Sequence, residues 1–104
     1  MPGSEAWLGT TWTASDAERG QITADFEAVA AWSRRLNVPI LLDEFGAYSR
    51  APQPSRVAWT RFVRHQAEAL GFGWAYWEFG AGFGVYDCAA GRWREDLLAA
   101  LLAD

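Results

Sequence analysis

PILLDEFGAYS, residues 39–49, is the stretch that decides the fold. It contains a predicted strand, residues 38–44, that is apolar on both faces, as is typical of a parallel strand covered by helices. This strand ends in two adjacent acids, Asp43 and Glu44. A carboxylate at the end of a buried strand either has a hydrogen-bonding partner or lies at an opening where its charge is used. On position alone, a structural and a catalytic role for Glu44 both stay open.

The segments around this strand predict an alternation of helices and strands. Apolar residues that share one helical face predict a helix over 22–36, with Thr23 as its N-cap. Aromatic enrichment predicts a second strand over 72–79. The order is α-β-α-β-α, with right-handed parallel crossovers. The other predicted elements are a loop over residues 1–20 and helices over residues 55–70 and 92–102.

Two buried parallel strands are too few to form a complete sheet, because both of their edges stay open. The pattern therefore predicts a piece of a larger parallel α/β structure. By strict alternation, Ile40, Leu42 and Glu44 share the face toward a barrel interior. Leu41 and Asp43 then face a layer of helices, where a salt link or cap is expected for Asp43.

The second strand ends beside the same predicted opening. Alternation places Gly73, Ala75 and Trp77 on one face, with the large indole nearest the end of the strand. Glu78 points away from this opening. A flat aromatic ring next to an acid such as Glu44 suits a sugar, whose C–H face packs on the ring while its hydroxyls contact polar groups.

Composition excludes several classes of protein. The 104 residues are 51% apolar and 21% charged, as in one globular domain. A net charge of -4 with scattered arginines argues against a nucleic-acid partner. No apolar run is long enough for a membrane span, so no membrane partner is expected. Cys88 is the single cysteine and the chain has one histidine, so neither an internal disulfide nor a Cys/His metal site is predicted. The start lacks the pattern of a signal peptide, and localisation is left unassigned.

Three strings carry a resemblance to a known family. They are PILLDEFGAYS, RVAWTRFVRHQAEALGFGWAYWEFGAGFGVYD at residues 56–87 and WREDLLAALL at residues 93–102. In order and spacing they resemble the C-terminal part of glycoside hydrolase family 5, the cellulase-type endoglucanases. The likeness extends from WLGTTW, residues 7–12, to the end of the chain.

The resemblance implies a fold and a chemistry. The fold is a partial (β/α)8 TIM barrel, in which residues 1–104 supply the last two βα units. The chemistry is retaining hydrolysis of β-1,4-glucan, in which one carboxylate attacks the sugar and a second acts as acid and base. Glu44 matches the nucleophile and Trp77 matches a sugar-binding tryptophan, and Trp12 resembles a further aromatic of the cleft. The expected ligand is a β-1,4-glucan or cello-oligosaccharide, without metal or organic cofactor.

Two departures from the family pattern limit what the chain does alone. Asp43 stands where the family commonly has glycine, and if it lay near Glu44 the two charges would raise one apparent pKa. The acid/base glutamate of the family, in an NE sequence, has no counterpart here. His65 is predicted to be a surface or helix-packing residue, and for Asp87 a turn-forming role and a role in shaping the cleft both stay open. Isolated, the chain is expected to be inactive.

Three interpretations follow. The first is the nucleophile-bearing part of a retaining endo-β-1,4-glucanase. The second is a non-catalytic sugar-binding or self-assembling barrel fragment, and the third a truncation product without a function. The open strand edges predict a homo-oligomer, either four copies that supply eight strands or a simpler dimer.

Overall fold

The computed structural model describes residues 9–103 of the chain. Within them, three helices pack around two small sheets in an α/β arrangement. The helices are α1 (Asp16–Leu36), α2 (Gln53–Ala69) and α3 (Glu95–Leu102), and the strands are β1 (Leu41–Phe45), β2 (Gly73–Tyr76), β3 (Tyr86–Asp87) and β4 (Arg92–Trp93).

Helix α1 begins six residues before the predicted start. The Ser15 hydroxyl accepts from the Glu18 backbone N–H at 3.3 Å, and the Glu18 carboxylate accepts from the Ser15 N–H at 2.8 Å. This reciprocal capping box satisfies two donors that the first turn leaves free. Thr23 lies inside the helix and is not its N-cap. Its hydroxyl donates to the Gln66 side chain at 3.0 Å and so links α1 to α2.

Strands β1 and β2 pair in parallel, as predicted, but their register is irregular. Leu42 pairs with Trp74 and Phe45 with Tyr76, so two residues of β1, at positions 43 and 44, lie opposite only Ala75. This is the geometry of a β-bulge, which interrupts the alternation of side chains along a strand.

The bulge changes which side chains face the helices. Leu42 and Ile40 pack into the core beneath the helices, whereas Leu41 is 64% exposed. The prediction that Ile40 and Leu42 face a barrel interior, and that Leu41 faces the helices, is therefore wrong. The prediction assumes that side chains alternate strictly along the strand up to Glu44. The bulge adds one residue to β1, so the residues before it face the other side of the sheet.

The core lies on one side of the β1–β2 sheet only. Phe45 is 6% exposed and contacts Trp74 and Tyr76 edge-on, with ring centroids 5.7 and 5.6 Å apart. A second cluster lies at the other end of the sheet, where the rings of Phe26 and Phe72 stack. The buried members of the two clusters are Phe45, Val63, Val85, Leu97 and Leu101 in the first, and Ala30, Ala67 and Phe72 in the second.

A buried arginine joins α2 to the last helix. The Arg64 guanidinium donates to the carbonyl oxygens of Ala100, at 3.3 Å, and Ala103, and so satisfies carbonyls at the end of α3. It also donates to the Glu68 carboxylate at 2.8 Å. This hydrogen bond, together with the one from the Trp74 indole, holds the pKa of Glu68 below its usual value.

The glycine-rich segment after β2 contains a hairpin that the sequence did not predict. Strands β3 and β4 pair antiparallel, and α3 therefore begins at Glu95, three residues after the predicted start. The rings of Phe79 and Tyr86 stack with centroids 5.2 Å apart, and Trp93 meets both edge-on. Residues 77–79, predicted as strand, lie beyond the end of β2.

Both outer edges of the β1–β2 sheet are open. Its strand order is β1–β2, and within residues 9–103 no third strand pairs with either. Apart from Trp74 and Tyr76, the residues of β2 are exposed, because no element of residues 9–103 covers the face opposite the helices. In the same part of the chain, no helix is both long and apolar enough to cross a membrane.

Candidate active site

Glu44 and Trp77 line one cleft at the carboxyl ends of the parallel strands. Glu44 is the fourth residue of β1, and Trp77 follows β2 directly. The Trp77 N–H donates to the Phe45 carbonyl oxygen at 2.7 Å, so the two strand ends stay paired. The cleft measures about 510 Å³, and half of the Trp77 surface is exposed. Its lining residues are Ile22, Asp25, Phe26, Leu42, Glu44, Phe45, Gly46, Trp59, Val63, Trp77 and Phe83.

The backbone after β1 touches the backbone after β2 at Gly46. A Cβ added to Gly46 would lie 1.9 Å from the carbonyl oxygen of Trp77, closer than any real contact. Only glycine therefore fits at this position. The contact fixes the indole-bearing residue relative to the strand end that carries Glu44.

Glu78 serves the loop and not the cleft. Its carboxylate accepts from the Phe83 backbone N–H at 3.1 Å, and Glu78 does not line the cleft. This agrees with the predicted orientation away from the opening. The Phe83 ring, held from behind in this way, lies in the cleft wall with Trp77.

Trp12 does not lie in this cleft. Its ring packs on Phe62 of α2, with centroids 6.1 Å apart, and it borders two smaller cavities on that side of the helix. One of those cavities is also lined by Ala47 and Trp59, behind the loop that follows β1. The structure therefore brings Glu44 together with Trp77 but places Trp12 apart from both.

Asp43 is exposed and forms no hydrogen bond or ion pair with any residue between 9 and 103. The salt link or cap expected for it on the helix side is not present in this part of the chain. The bulge explains the difference, because Asp43 and Glu44 together oppose one residue of β2 and the strict alternation behind the prediction does not hold there.

Neither His65 nor Asp87 lines the cleft that contains Glu44 and Trp77. His65 is exposed on α2 and does not border the cleft. Asp87 accepts from the Ala90 N–H at 3.0 Å and pairs with Arg94 at 3.1 Å. The backbone N–H of Ala90, followed by the charge of Arg94, lowers the pKa of Asp87. Asp87 thus closes the β3–β4 turn.

Sequence reasoning missed the contribution of α1 to the cleft. Ile22, Asp25 and Phe26 line the same cleft as Glu44. The sequence predicts the apolar face of α1 but places Leu42 on the opposite face of the sheet, so it does not predict that the two meet in one cleft. No group of three or more histidine, cysteine, aspartate or glutamate side chains within residues 9–103 could hold a metal ion.

Comparison with known proteins identifies the relatives of this chain. No family model matches it. It is 35% identical over 81 residues to endoglucanase H of Acetivibrio thermocellus, a match that spans 78% of the chain and 9% of that protein. A solved endoglucanase is 47% identical over 92% of the chain, with a TM-score of 0.88. The chain is related to the endoglucanases.

A further solved structure extends this result. Cel5A of Thermotoga maritima, in complex with cellobiose, is 42% identical over 98% of the chain, with a TM-score of 0.89. These matches confirm the resemblance to family 5 cellulases that the sequence indicated. The chain spans about a third of the two solved relatives, 31% and 33% of their lengths. The chain therefore matches one part of each of these solved proteins.

Proposed function

We propose that this chain is the C-terminal part of a family 5 endo-β-1,4-glucanase, in which Glu44 is the nucleophile of a retaining mechanism. In that role Glu44 attacks the anomeric carbon and forms a glycosyl-enzyme intermediate that water then hydrolyses. The observation that carries the proposal is the shared cleft of Glu44 and Trp77 in a chain 47% identical to an endoglucanase. In the complete (β/α)8 barrel, the chain would supply the last two of eight βα units.

Trp77 is proposed as the platform on which a sugar ring stacks. Its half-exposed indole borders the same cleft as the carboxylate, which suits a ligand with one apolar C–H face and polar edges. Solved structures of Cel5A of Thermotoga maritima are described as complexes with cellobiose and with mannotriose. We extend this to a β-linked oligosaccharide of glucose, or of its epimer mannose, as the ligand of this cleft.

We assign the acid/base to a residue outside 9–103. Retaining chemistry needs a second carboxyl group about 5 to 5.5 Å from the nucleophile. Glu78 is engaged by the Phe83 N–H, and Asp87 by Ala90 and Arg94. Asp25 lines the cleft from α1, but its carboxylate accepts from the Gln21 side chain at 3.2 Å. The remainder of the barrel is the proposed source. The isolated chain is therefore expected to show negligible turnover.

A complementation assay tests this assignment. The chain is mixed with the N-terminal two-thirds of a related endoglucanase, and hydrolysis of an aryl cellobioside is measured against each part alone. We expect activity only in the mixture. Glu44→Gln in the chain should lower that activity by several orders of magnitude, because the residual rate without a nucleophile is small.

Asp43→Asn is the matched control, since it removes a neighbouring exposed charge from the same strand. It should leave most of the activity in place. Loss of activity with Asp43→Asn and retention with Glu44→Gln would overturn the assignment of the nucleophile. Clear hydrolysis by the chain alone would contradict the need for an external acid/base.

The open sheet favours a second candidate, a non-catalytic sugar-binding or self-assembling fragment. Leu41 is 64% exposed, and both strand edges lack partners within residues 9–103. Unpaired strand edges tend to associate with other chains. Light scattering behind size exclusion, at micromolar concentration, decides this candidate. A homo-oligomer of two or four copies that dissociates on Leu41→Lys supports it, and a stable monomer argues against it.

A further inference from the structure

Arg56 is a buried cation that has no ion-pair partner among residues 9–103. It is 2% exposed, although it lies in the first turns of α2. Within residues 9–103 its guanidinium forms no ion pair and donates instead to neutral oxygens. Nε donates to the Ala47 carbonyl at 2.9 Å, Nη1 to the Gln53 side chain at 2.9 Å and Nη2 to the Phe83 carbonyl at 3.2 Å. Burial of a charge is costly, so these contacts indicate a specific task.

The two carbonyl acceptors belong to two different loops. Ala47 lies in the loop after β1, immediately beyond Gly46, and Phe83 lies in the loop after β2. The loops are also joined by one backbone hydrogen bond, from the Ser49 N–H to the Gly82 carbonyl at 2.8 Å. One planar guanidinium therefore spans the two loops whose strands carry Glu44 and Trp77.

Phe83 both contacts Arg56 and lines the cleft. Its carbonyl oxygen accepts from both Arg56 and the Tyr76 hydroxyl, the latter at 2.6 Å, while its N–H donates to Glu78. With both backbone polar groups held, its ring lines the cleft beside Glu44 and Trp77 and packs on Tyr48 at 5.3 Å. A shift of this peptide would move the cleft wall.

The other loop has a comparable connection. The Ala47 carbonyl held by Arg56 follows Gly46, whose backbone touches the Trp77 carbonyl too closely for any side chain. Any change in the path of residues 46–47 therefore displaces the Trp77 peptide. Lysine could not replace Arg56, because its ammonium is a compact point charge without the planar fork that reaches separate acceptors.

We propose that Arg56 is a positioning residue that holds both loops, and through them Phe83 and Trp77, in the geometry that the sugar cleft requires. The inference rests on the proposed function for the identity of the ligand. The loop geometry itself is independent of any ligand. Arg56 does not line the cleft, so it acts through Ala47 and Phe83 and not by contact with sugar.

Amide hydrogen exchange of the 104-residue chain, followed by NMR, tests the proposal. In Arg56→Met we expect the Ser49 and Phe83 amides to exchange at least about tenfold faster, with a shifted indole N–H resonance for Trp77. Amides in the middle of α1 should change less than about twofold. Arg56→Lys should fall between the two, since it restores the charge but not the fork.

Arg61→Met is the matched control, because Arg61 is exposed on the same helix and has no hydrogen bond to a residue between 9 and 103. It should leave the two loop amides unchanged. If Arg56→Met does not fold, Tyr76→Phe provides the test, since it removes only one donor to the Phe83 carbonyl. It should accelerate exchange at Phe83 by a smaller factor and leave α1 unaffected.

A titration with cellotriose, read by tryptophan fluorescence, separates the two proposals. If the wild-type chain does not respond, sugar binding by this chain fails, and the exchange pattern and the Trp77 resonance still decide the role of Arg56. If the wild type binds and Arg56→Met binds several-fold more weakly, both stand. Equal affinity with loosened loops, or exchange that rises evenly along the chain, would overturn the positioning role.

Discussion

The two faces of the β1–β2 sheet differ in what covers them. On one face, Phe45 is buried among aromatic rings beneath α2. On the other face Leu41 is largely exposed, and its nearest counterpart on β2 is Gly73. Apolar burial is the main favourable term in folding, so the covered face holds the chain together. Within residues 9–103, no element covers the open face.

Truncation of one large side chain on each face should give the largest difference in the free energy of unfolding. Phe45→Ala should lower the free energy of unfolding by about 3–5 kcal/mol, because it leaves a cavity in the core. Leu41→Ala should change it by about 0.5 kcal/mol or less. Urea unfolding, at submicromolar concentration, measures both. Similar losses in the two variants would show that the open face is covered in solution.

Loss of the hydrogen bonds between Arg64 and α3 should give the next largest loss of stability. Arg64→Met removes the donors to the α3 carbonyls, and we expect a loss of about 1.5–3 kcal/mol, as for hydrogen bonds from a charged group. Arg61→Met, on the exposed side of the same helix, should fall within about 0.5 kcal/mol of wild type. Thermal unfolding compares them. Equal midpoints for the two variants would mean that α3 does not depend on Arg64.

Glycine-to-alanine substitutions at positions 46 and 73 compare the effect of one added methyl group at two places in the sheet. Gly46→Ala places a Cβ against the Trp77 backbone and should cost about 1–3 kcal/mol. The added Cβ of Gly73→Ala meets the flexible end of Leu41 at 3.2 Å and, at an ordinary contact distance of 3.9 Å, the Ile40 carbonyl oxygen. This substitution should be neutral or stabilise by up to about 1 kcal/mol, since glycine lowers strand stability. Denaturation midpoints that reverse this order would contradict the close contact of the two loops.

The smallest effect is local to the start of α1, away from both faces. The hydrogen bond from the Ser15 backbone N–H, followed by those from the Ser15 hydroxyl and from Thr13, lowers the pKa of Glu18 from 4.5 to about 2. Because the folded pKa is depressed, this stabilisation is present above about pH 4.5 and is lost as the pH falls toward 2. Glu18→Gln should therefore have a lower melting temperature at pH 7, and the difference from wild type should close near pH 2.

Glu27→Gln is the control for that experiment, as Glu27 is exposed on α1 and bonds to no residue between 9 and 103. Its melting temperature should follow that of the wild type across the same range. If the melting temperature of Glu18→Gln stays equally far below that of the wild type at pH values below 2, the loss of stability has a cause other than the charge of Glu18.

The hairpin β3–β4 and the early start of α1 show why parts of the fold were not predicted. Strands of two residues carry no periodicity, and the hairpin depends on the contacts of Phe79 with Tyr86 and Trp93. The start of α1 was signalled by the capping box at Ser15 and Glu18. It was overlooked because the residues before Ile22 lack an apolar period.

The amino-acid sequence by itself determined the order of the elements, the parallel pairing of β1 and β2, the resemblance to cellulases, and the placing of Glu44 and Trp77 at two strand ends. Local propensity, apolar pattern and motif spacing are contained in the order of residues. Tertiary structure alone decided which face of β1 is buried and which residues hold the cleft. The bulge at residues 43–44 and the reach of Arg56 to Ala47 and Phe83 arise only when distant backbone segments meet.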